Sequence, residues 1–544
     1  MTTRRRWLAL SQTQALARPV GSRMAVGLIP AMLLVTPVVV LLRANDYSLA
    51  RREVLLVLLL FSLPGLASAL LFRRRWFSPL IVMMAATFFA EVRFPSLGAA
   101  GALSLAAVGF CSVCHRNFQR ITLAMLATLL LSSLVLRVSE PITPRPATDA
   151  ASSTEPFVLE IILDEHIGLQ GLSAAGEAAE SVAAEIRRFF GDRGFSVFPE
   201  AYSEHSATRD SLSHAFNLSS GTFQAANYET GSGRFTWRLT HNRLFESLLA
   251  RGYALRVFQS DYIDLCVTPG NVECDTYSIK DLGILQDSPI PASERVSIIV
   301  SSCLRYSSLY LLFRGIYQEV HDRLQPLGIG LPPWTWQYQR VSPVSAMRVT
   351  RRVEEELRHA RPGRAVVVHL LLPHGPYILD ERCRFKPAAS WDTRTEFDRT
   401  MTAEARRRLY VEYAAQTRCA YSTLGRLLDA IPESMRADST VVVHGDHGSR
   451  IARHDSEAPR PQLSRADLLD DYSTLFAIRS RRVGVAGSDD LEALSCLVRA
   501  SLVDQGPFLP ALAACRGTPQ VYLAGAGRFV PYPGPSDVQE VVHP

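Results

Sequence analysis

Four short segments of this chain hold the residue types that metal-assisted chemistry uses. Asp164 and Glu165 are adjacent acids, followed by His166, at the end of the apolar run Phe157–Leu163. Paired carboxylates offer hard oxygen donors of the kind divalent cations take. Gly445-Asp446-His447-Gly448 follows a second apolar run and joins an acid to an imidazole, a donor pair suited to zinc or manganese. Its glycines let the backbone approach a ligand closely. His374 lies in Pro373-His374-Gly375-Pro376, placed to bind a metal or the anionic group of a substrate. His369, inside the apolar run before it, reads as a hydrogen-bonded core histidine. The fourth segment, 202–212, carries Ser206, Thr208 and Ser211, hydroxyls that become useful nucleophiles when a metal lowers their pKa. Thr208 also opens a helical pattern through Asn217, and N-terminal amides favour an anion such as phosphate. Each segment has an ordinary structural reading beside the chemical one. Asp164 serves well as a helix N-cap, Ser and Thr are common caps, and Gly-Asp-His-Gly makes a polar turn. Arg209 and Arg450 are either donors to a transferred group or solvated surface cations.

The elements that must position these residues alternate between strand and helix. Phe157–Leu163 is a continuous apolar, β-rich run suited to a buried strand; Ala365–Leu372 reads as another buried strand, Leu255–Gln259 as a short strand and Ser439–Val443 as a further one. Ala174–Phe190, Leu244–Leu249, Met347–His359, Thr402–Ile431 and Leu491–Leu502 have helical spacing. This alternation predicts an α/β domain with a mostly parallel sheet covered by helices on both faces. In such sheets ligands gather at the carboxyl ends of strands, where three of the four segments lie.

The first quarter of the 544 residues is a different object. Through residue 140 it holds 15 arginines, no lysine and four acids, a net of +11, whereas the remainder carries −5. The positive excess sits between apolar runs, which argues against nucleic acid as a partner. Runs at 24–42, 53–72, 76–90, 97–114 and 121–137 predict about five α-helical transmembrane spans, since lipid leaves only internally bonded backbone stable. The domain plan is therefore a transmembrane domain at 1–138, a linker at 139–155 and an extracytoplasmic catalytic domain at 156–544. Basic loops before the first span and after the second and fourth place those segments in the cytoplasm. Val296–Phe313 is apolar, but Arg305 and its serines and tyrosines predict a buried soluble helix. Cys266 with Cys274, and Cys496 with Cys515, are spaced for local disulfides in an oxidising compartment. Seven cysteines in this part leave at least one to stay free or pair elsewhere.

Taken in order, the acid pair, the hydroxyl, His-Gly-Pro and Gly-Asp-His-Gly resemble the sulfatase-like branch of the alkaline phosphatase superfamily. The likeness extends to its membrane-anchored type, the phosphoethanolamine transferases and lipoteichoic acid synthases. The resemblance implies that Asp164, Thr208, Asp446 and His447 hold a divalent metal (zinc, manganese or calcium), with Glu165 as a further acid ligand. It implies Thr208 as nucleophile, taking a phosphoryl-linked head group from a phospholipid and passing it to an envelope lipid or glycan. His374, Arg209 and Arg450 would then bind the substrate, with His374 on the departing or transferred anion. It also implies a multi-pass protein of the bacterial inner (plasma) membrane with a periplasmic catalytic domain. True sulfatases carry a Cys or Ser followed by x-Pro-x-Arg; Thr208-Arg209-Asp210-Ser211 has no such proline. A sulfuric or phosphoric ester hydrolase would use the same ligands with water as acceptor, and a non-catalytic membrane scaffold would keep the fold alone.

Overall fold

The computed structural model describes residues 31–71, 154–219, 227–305, 315–324, 341–391, 401–454, 463–483 and 490–533, apart from one or two positions inside some of these ranges, together with Ser456. These residues form two compact units: one combines the N-terminal residues with 282–324, and the other holds 154–279 and the residues from 341 onward.

In the first unit a helix at Arg52–Leu71 packs against a helix at Ala292–Arg305. Their contact is fastened by a buried charge: Glu53 accepts from Tyr47 Oη at 2.8 Å and pairs with Arg295 Nε at 2.9 Å. Leu55, Leu56, Leu59, Leu60 and Leu63 are exposed on the first helix. The soluble helix predicted at Val296–Phe313 begins at Ala292 and belongs to this unit. Of the predicted spans, 76–90, 97–114 and 121–137 lie outside the described residues, as does most of the linker; 24–42 is described in part. The second coincides with the Arg52–Leu71 helix, whose side chains are described to Leu63. Among the described residues, no helix is long and apolar enough to cross a membrane.

The second unit is built on a seven-stranded sheet. Its strands are β1 (Val158–Leu163), β2 (Ser196–Val197), β3 (Ala254–Ser260), β4 (Val272–Tyr277), β5 (Arg364–Leu370), β6 (Thr440–Gly445) and β7 (Phe476–Arg479). The order is β2-β7-β6-β1-β5-β3-β4, parallel from β6 through β4 and antiparallel at β7 and β2. The principal helices are α1 (Glu177–Gly191), α2 (Thr208–Phe216), α3 (Ser342–Arg358) and α4 (Ala403–Ala430). The mostly parallel α/β domain predicted from the alternation is observed. Every residue of β1 and β5 is buried, which explains why these strands read as mainly apolar runs rather than alternating ones. Val158, Ile162, Val257 and Val367 face one core with Leu212 and Phe216 of α2 and Phe245 of the helix Arg243–Ala250. Leu159, Ile161, Val366, Val368 and Val443, of opposite parity, are equally buried.

Register decides where the chemistry emerges. Leu163 at the end of β1 pairs with Leu370 on one side and Gly445 on the other. The three strands thus finish level, and Asp164, the 371–376 loop and Asp446 leave the sheet together. Polar pairs interrupt the sheet's interior: His444 Nε2 lies 3.1 Å from Glu160 Oε1, both fully buried, and Gln259 Nε2 donates to Thr276 Oγ1 at 3.2 Å.

The helix predicted at Leu491–Leu502 is instead three pieces. Glu492–Ala493 pairs in parallel with Ala201–Tyr202, a helix follows at Leu494–Val498, and a π-helical turn covers Arg499–Val503. Buried Glu492, paired with Arg516, starts the segment as strand, a tertiary effect that periodicity cannot register. Both local disulfides are present, and Cys383–Cys419 is a third; Cys303 is free and buried.

The Cys383–Cys419 bond, with a sequence separation of 36, closes a much longer loop than the 8 of Cys266–Cys274. Loop-closure entropy then predicts a loss of about 4 kcal/mol for Cys383→Ser/Cys419→Ser against about 2.5 for Cys266→Ser/Cys274→Ser. Urea midpoints of the two double variants should rank in that order; the reverse ranking would contradict the chain-entropy account.

Candidate active site

The loop after β6 is built around backbone contact that leaves no room for side chains. A Cβ on Gly445 would lie 2.3 Å from the carbonyl oxygen of His166, and one on Gly448 only 1.9 Å from that of Asp470. Ser449 donates to Asp470, and the amides of Gly448 and Ser449 donate to the Asp471 and Asp470 carbonyls at 2.9 and 2.8 Å. Between these fixed glycines, Asp446 and His447 are held with almost no exposure. Across from them, Asp164 continues β1 by donating its amide to Leu370 O at 2.9 Å. Glu165 then turns through φ of +58°, a left-handed conformation costly for a residue with a Cβ. That turn lets its amide donate to Asp446 Oδ1 at 2.9 Å, tying the two loops together.

Each aspartate has one satisfied oxygen and one left over. Asp446 Oδ1 accepts from the amides of Glu165 and His447, both at 2.9 Å, and Asp164 Oδ2 meets His369 Nε2 at 3.0 Å. His369 is thus the hydrogen-bonded core histidine its position predicted. Asp164 Oδ1 and Asp446 Oδ2 are buried without a hydrogen-bond partner. His447 Nδ1 donates to Gly448 O at 3.0 Å, which directs Nε2 into the site; that atom lies 3.2 Å from Asp446 Oδ2. Asp164, Asp446 and His447 each bring a donor atom within 4.8 Å of the other two. A second such group is Asp164, Glu165 and His374. Orphaned buried oxygens of this kind, beside an imidazole nitrogen, fit a divalent cation.

Electrostatics separate the two carboxyls. Burial and then the neighbouring Asp446 charge push Asp164 up to about 8. Burial alone would raise Asp446 too, but His447, His369, the Glu165 amide and the Thr208 hydroxyl outweigh it and hold this carboxyl below its ordinary value.

Thr208 stands at the first position of α2, and its Oγ1 lies 3.2 Å from His447 Nε2. The other two hydroxyls are engaged elsewhere. Ser211 Oγ donates to the carbonyl oxygen of Asp446 and accepts from Ser203, while Ser206 Oγ lies 3.5 Å from Ser456 Oγ. Arg209 pairs with Asp210 at 3.2 Å and lays its guanidinium over Trp237, 4.8 Å from the ring centre. Arg450, half-buried with φ of +56°, directly follows Ser449; its charge and that of Arg209 both act on Tyr262. His374 Nε2 lies 3.6 Å from Glu165 Oε1, and the Gly375 amide donates to Glu165 Oε2 at 3.1 Å. Of the residues predicted to hold metal, Asp164, Asp446 and His447 are thus grouped, with Thr208 beside His447, while the Glu165 carboxylate groups with Asp164 and His374.

No family model and no curated protein sequence matches the chain. Solved structures do. The C-terminal periplasmic domain of EcEptC from Escherichia coli, in complex with zinc, is 13% identical over 66% of this chain and 86% of that one, at a TM-score of 0.35. The integral membrane lipooligosaccharide phosphoethanolamine transferase A from Neisseria meningitidis is 13% identical, covering 92% of this chain and 89% of that one at 0.36. The phosphonate monoester hydrolase of Agrobacterium radiobacter is 13% identical over 67% and 78%, at 0.38. Likeness at this level carries no mechanism; the chemistry rests on the side chains of the site.

Sequence reading missed the side chains that hold the loops. Tyr413 Oη donates to Glu165 O at 3.1 Å, Gln416 binds the backbone around His374, and Tyr410 reaches Asp470 and Ser449. Their spacing of three along one long helical pattern was the available signal.

The Asp164 proton gives a pH signature. A carboxyl raised in the folded state binds a proton that the unfolded chain releases, so its contribution is lost as pH climbs toward about 8. Buried His166 and His369, each pushed down to about 4 by desolvation, destabilise only below their ordinary value near 6.5. With chelator present, thermal stability should therefore fall from about pH 6.5 to about 8, and Asp164→Asn should flatten that slope. Equal slopes in the two proteins would contradict the assignment.

Proposed function

We propose that this chain is a metal-dependent transferase of the sulfatase-like type, moving a phosphoryl-linked head group from a phospholipid to an envelope lipid or glycan through Thr208. The observation that carries this reading is the threonine hydroxyl 3.2 Å from His447 Nε2, beside two buried carboxylates with unsatisfied oxygens. Asp164, Asp446 and His447, with Thr208 and Glu165, would hold the cation. When bound, it would neutralise the transferring group and lower the hydroxyl's pKa.

The protein's own groups do the rest. Thr208 Oγ1 bonds to phosphorus and gives up its proton while the glycerol-side oxygen departs as an alcohol. The acceptor hydroxyl then displaces Thr208 and restores its proton. The Asp210 and Ser211 amides donate to Ala207 O at 3.0 and 2.9 Å, so it is the first two amides of α2, those of Thr208 and Arg209, that precede its hydrogen bonds and favour negative charge at that end. His374, on the rim of the site, holds the departing or transferred anion. Ser211 is unsuited as nucleophile because its proton is committed to the Asp446 carbonyl. We read residues 1–138 as an anchor that keeps the site near a bilayer surface, where a phospholipid donor is concentrated. Sulfate-ester hydrolysis is disfavoured because threonine is not a substrate for the modification that sulfatases need.

The test is to incubate the full-length protein in detergent with head-group-labelled phosphatidylethanolamine. Diacylglycerol release and a phosphoryl-linked adduct on Thr208, read by mass spectrometry, are the expected results. Thr208→Ala should lose on the order of 10³-fold or more in turnover, as removal of a nucleophile does. Full turnover in Thr208→Ala, or release of free phosphoethanolamine with no adduct, would favour a hydrolase using water.

A further inference from the structure

Helix α4 carries buried polar side chains at positions 410, 413 and 416, and each reaches a different loop of the site. Three residues advance a helix by about 4.5 Å and about 300°, so these positions form one slanted row. Tyr410 Oη donates to Asp470 and lies 3.2 Å from Ser449 Oγ, which fastens the loop bearing Asp446 and His447. Tyr413 Oη accepts the Ile167 amide at 3.1 Å and donates to Glu165 O at 3.1 Å. A single hydroxyl thus braces both ends of the left-handed turn that follows Asp164. Gln416 Nε2 donates to Pro373 O at 3.0 Å and His374 O at 2.9 Å, while its Oε1 accepts from Ile378 and Leu379 at 2.8 and 3.1 Å. Its amide therefore ties down four backbone groups of the His374 loop. Tyr413 and Gln416 are fully buried and Tyr410 nearly so.

We infer that the row Tyr410–Tyr413–Gln416 is the template that sets the spacing of the two ligand-bearing loops and of the His374 loop, which holds the Glu165 carboxylate, and so tunes the site's metal affinity. The inference rests on the metal centre of the proposed function. None of the three touches the proposed donor atoms; they are positioning residues. Groups that orient ligands at one remove commonly change metal affinity by roughly 10- to 100-fold when altered. A side chain that merely satisfied buried polar atoms would instead change folding stability and leave affinity alone.

The experiment uses the full chain in detergent, with zinc titrated in competition with a chromogenic chelator. Tyr413→Phe, Gln416→Met and Tyr410→Phe are compared with Thr423→Val, which removes another buried hydroxyl of α4 that is bonded to Met347 and Arg426 rather than to the site. Expected is roughly a tenfold or greater rise in zinc Kd for the row variants, with Thr423→Val unchanged, among proteins with native circular dichroism. Unchanged zinc Kd in the row variants overturns the inference while leaving the proposed function standing. A wild-type chain that binds no zinc, manganese or calcium overturns the proposed function and this inference with it. Should Tyr413→Phe fail to fold, Gln416→Met decides, and after it Tyr410→Phe.

Discussion

Two aspartates facing each other in a dry site are the constraint that shapes everything around them. Asp164 and Asp446 are almost wholly shielded from water, and each carries one oxygen without a hydrogen bond. Two such groups cannot both ionise without compensation, because burial and mutual repulsion each favour the neutral form. The protein supplies partial compensation to Asp446, through His447, His369 and backbone amides, and leaves Asp164 protonated over much of the pH range. On the proposed function, a divalent cation would complete what those groups begin: it would satisfy both leftover oxygens and allow both carboxylates to ionise.

Convergence of this kind needs the backbone held tightly from several directions. Level strand ends bring Asp164 and Asp446 out of the sheet side by side, while the contacts at Gly445 and Gly448 leave space for hydrogen alone. The Asp446 carboxylate then bonds the strained Glu165 turn, so loops 281 residues apart in sequence share one hydrogen bond. Thr208 arrives from a different direction, on a helix whose other face is buried in the core beside β1. Rigid elements thus set the site, and the loops only bridge short gaps between them.

Much of this was legible from residue order. The apolar runs ending in Asp164 and Gly445 mark strands buried on both faces, and a polar residue directly after such a run must sit at the sheet's edge. Thr208 could be recognised as the start of a helix from the pattern through Asn217, and both short-range disulfides follow from spacing. What could not be read are effects carried by tertiary contact. Tyr410, Tyr413 and Gln416 look like any polar positions on an amphipathic helix until the loops they bind are known. Cys383–Cys419 joins residues too far apart for spacing to suggest, and Glu492 is drawn into a strand by a partner in a distant segment. The grouping of 282–324 with the N-terminal unit likewise depends on the buried Glu53–Arg295 pair, which no local pattern announces.

The chemistry stands or falls with a cation held by oxygen and imidazole donors at Asp164, Asp446, His447 and Thr208. X-ray absorption at the zinc edge of the loaded full-length protein reads that donor set. Expected is a nearest shell of oxygen and nitrogen at about 2.0–2.1 Å, with imidazole scattering that disappears in His447→Ala. A shell dominated by sulfur near about 2.3 Å, or a spectrum unchanged by His447→Ala, would place the metal elsewhere and contradict it.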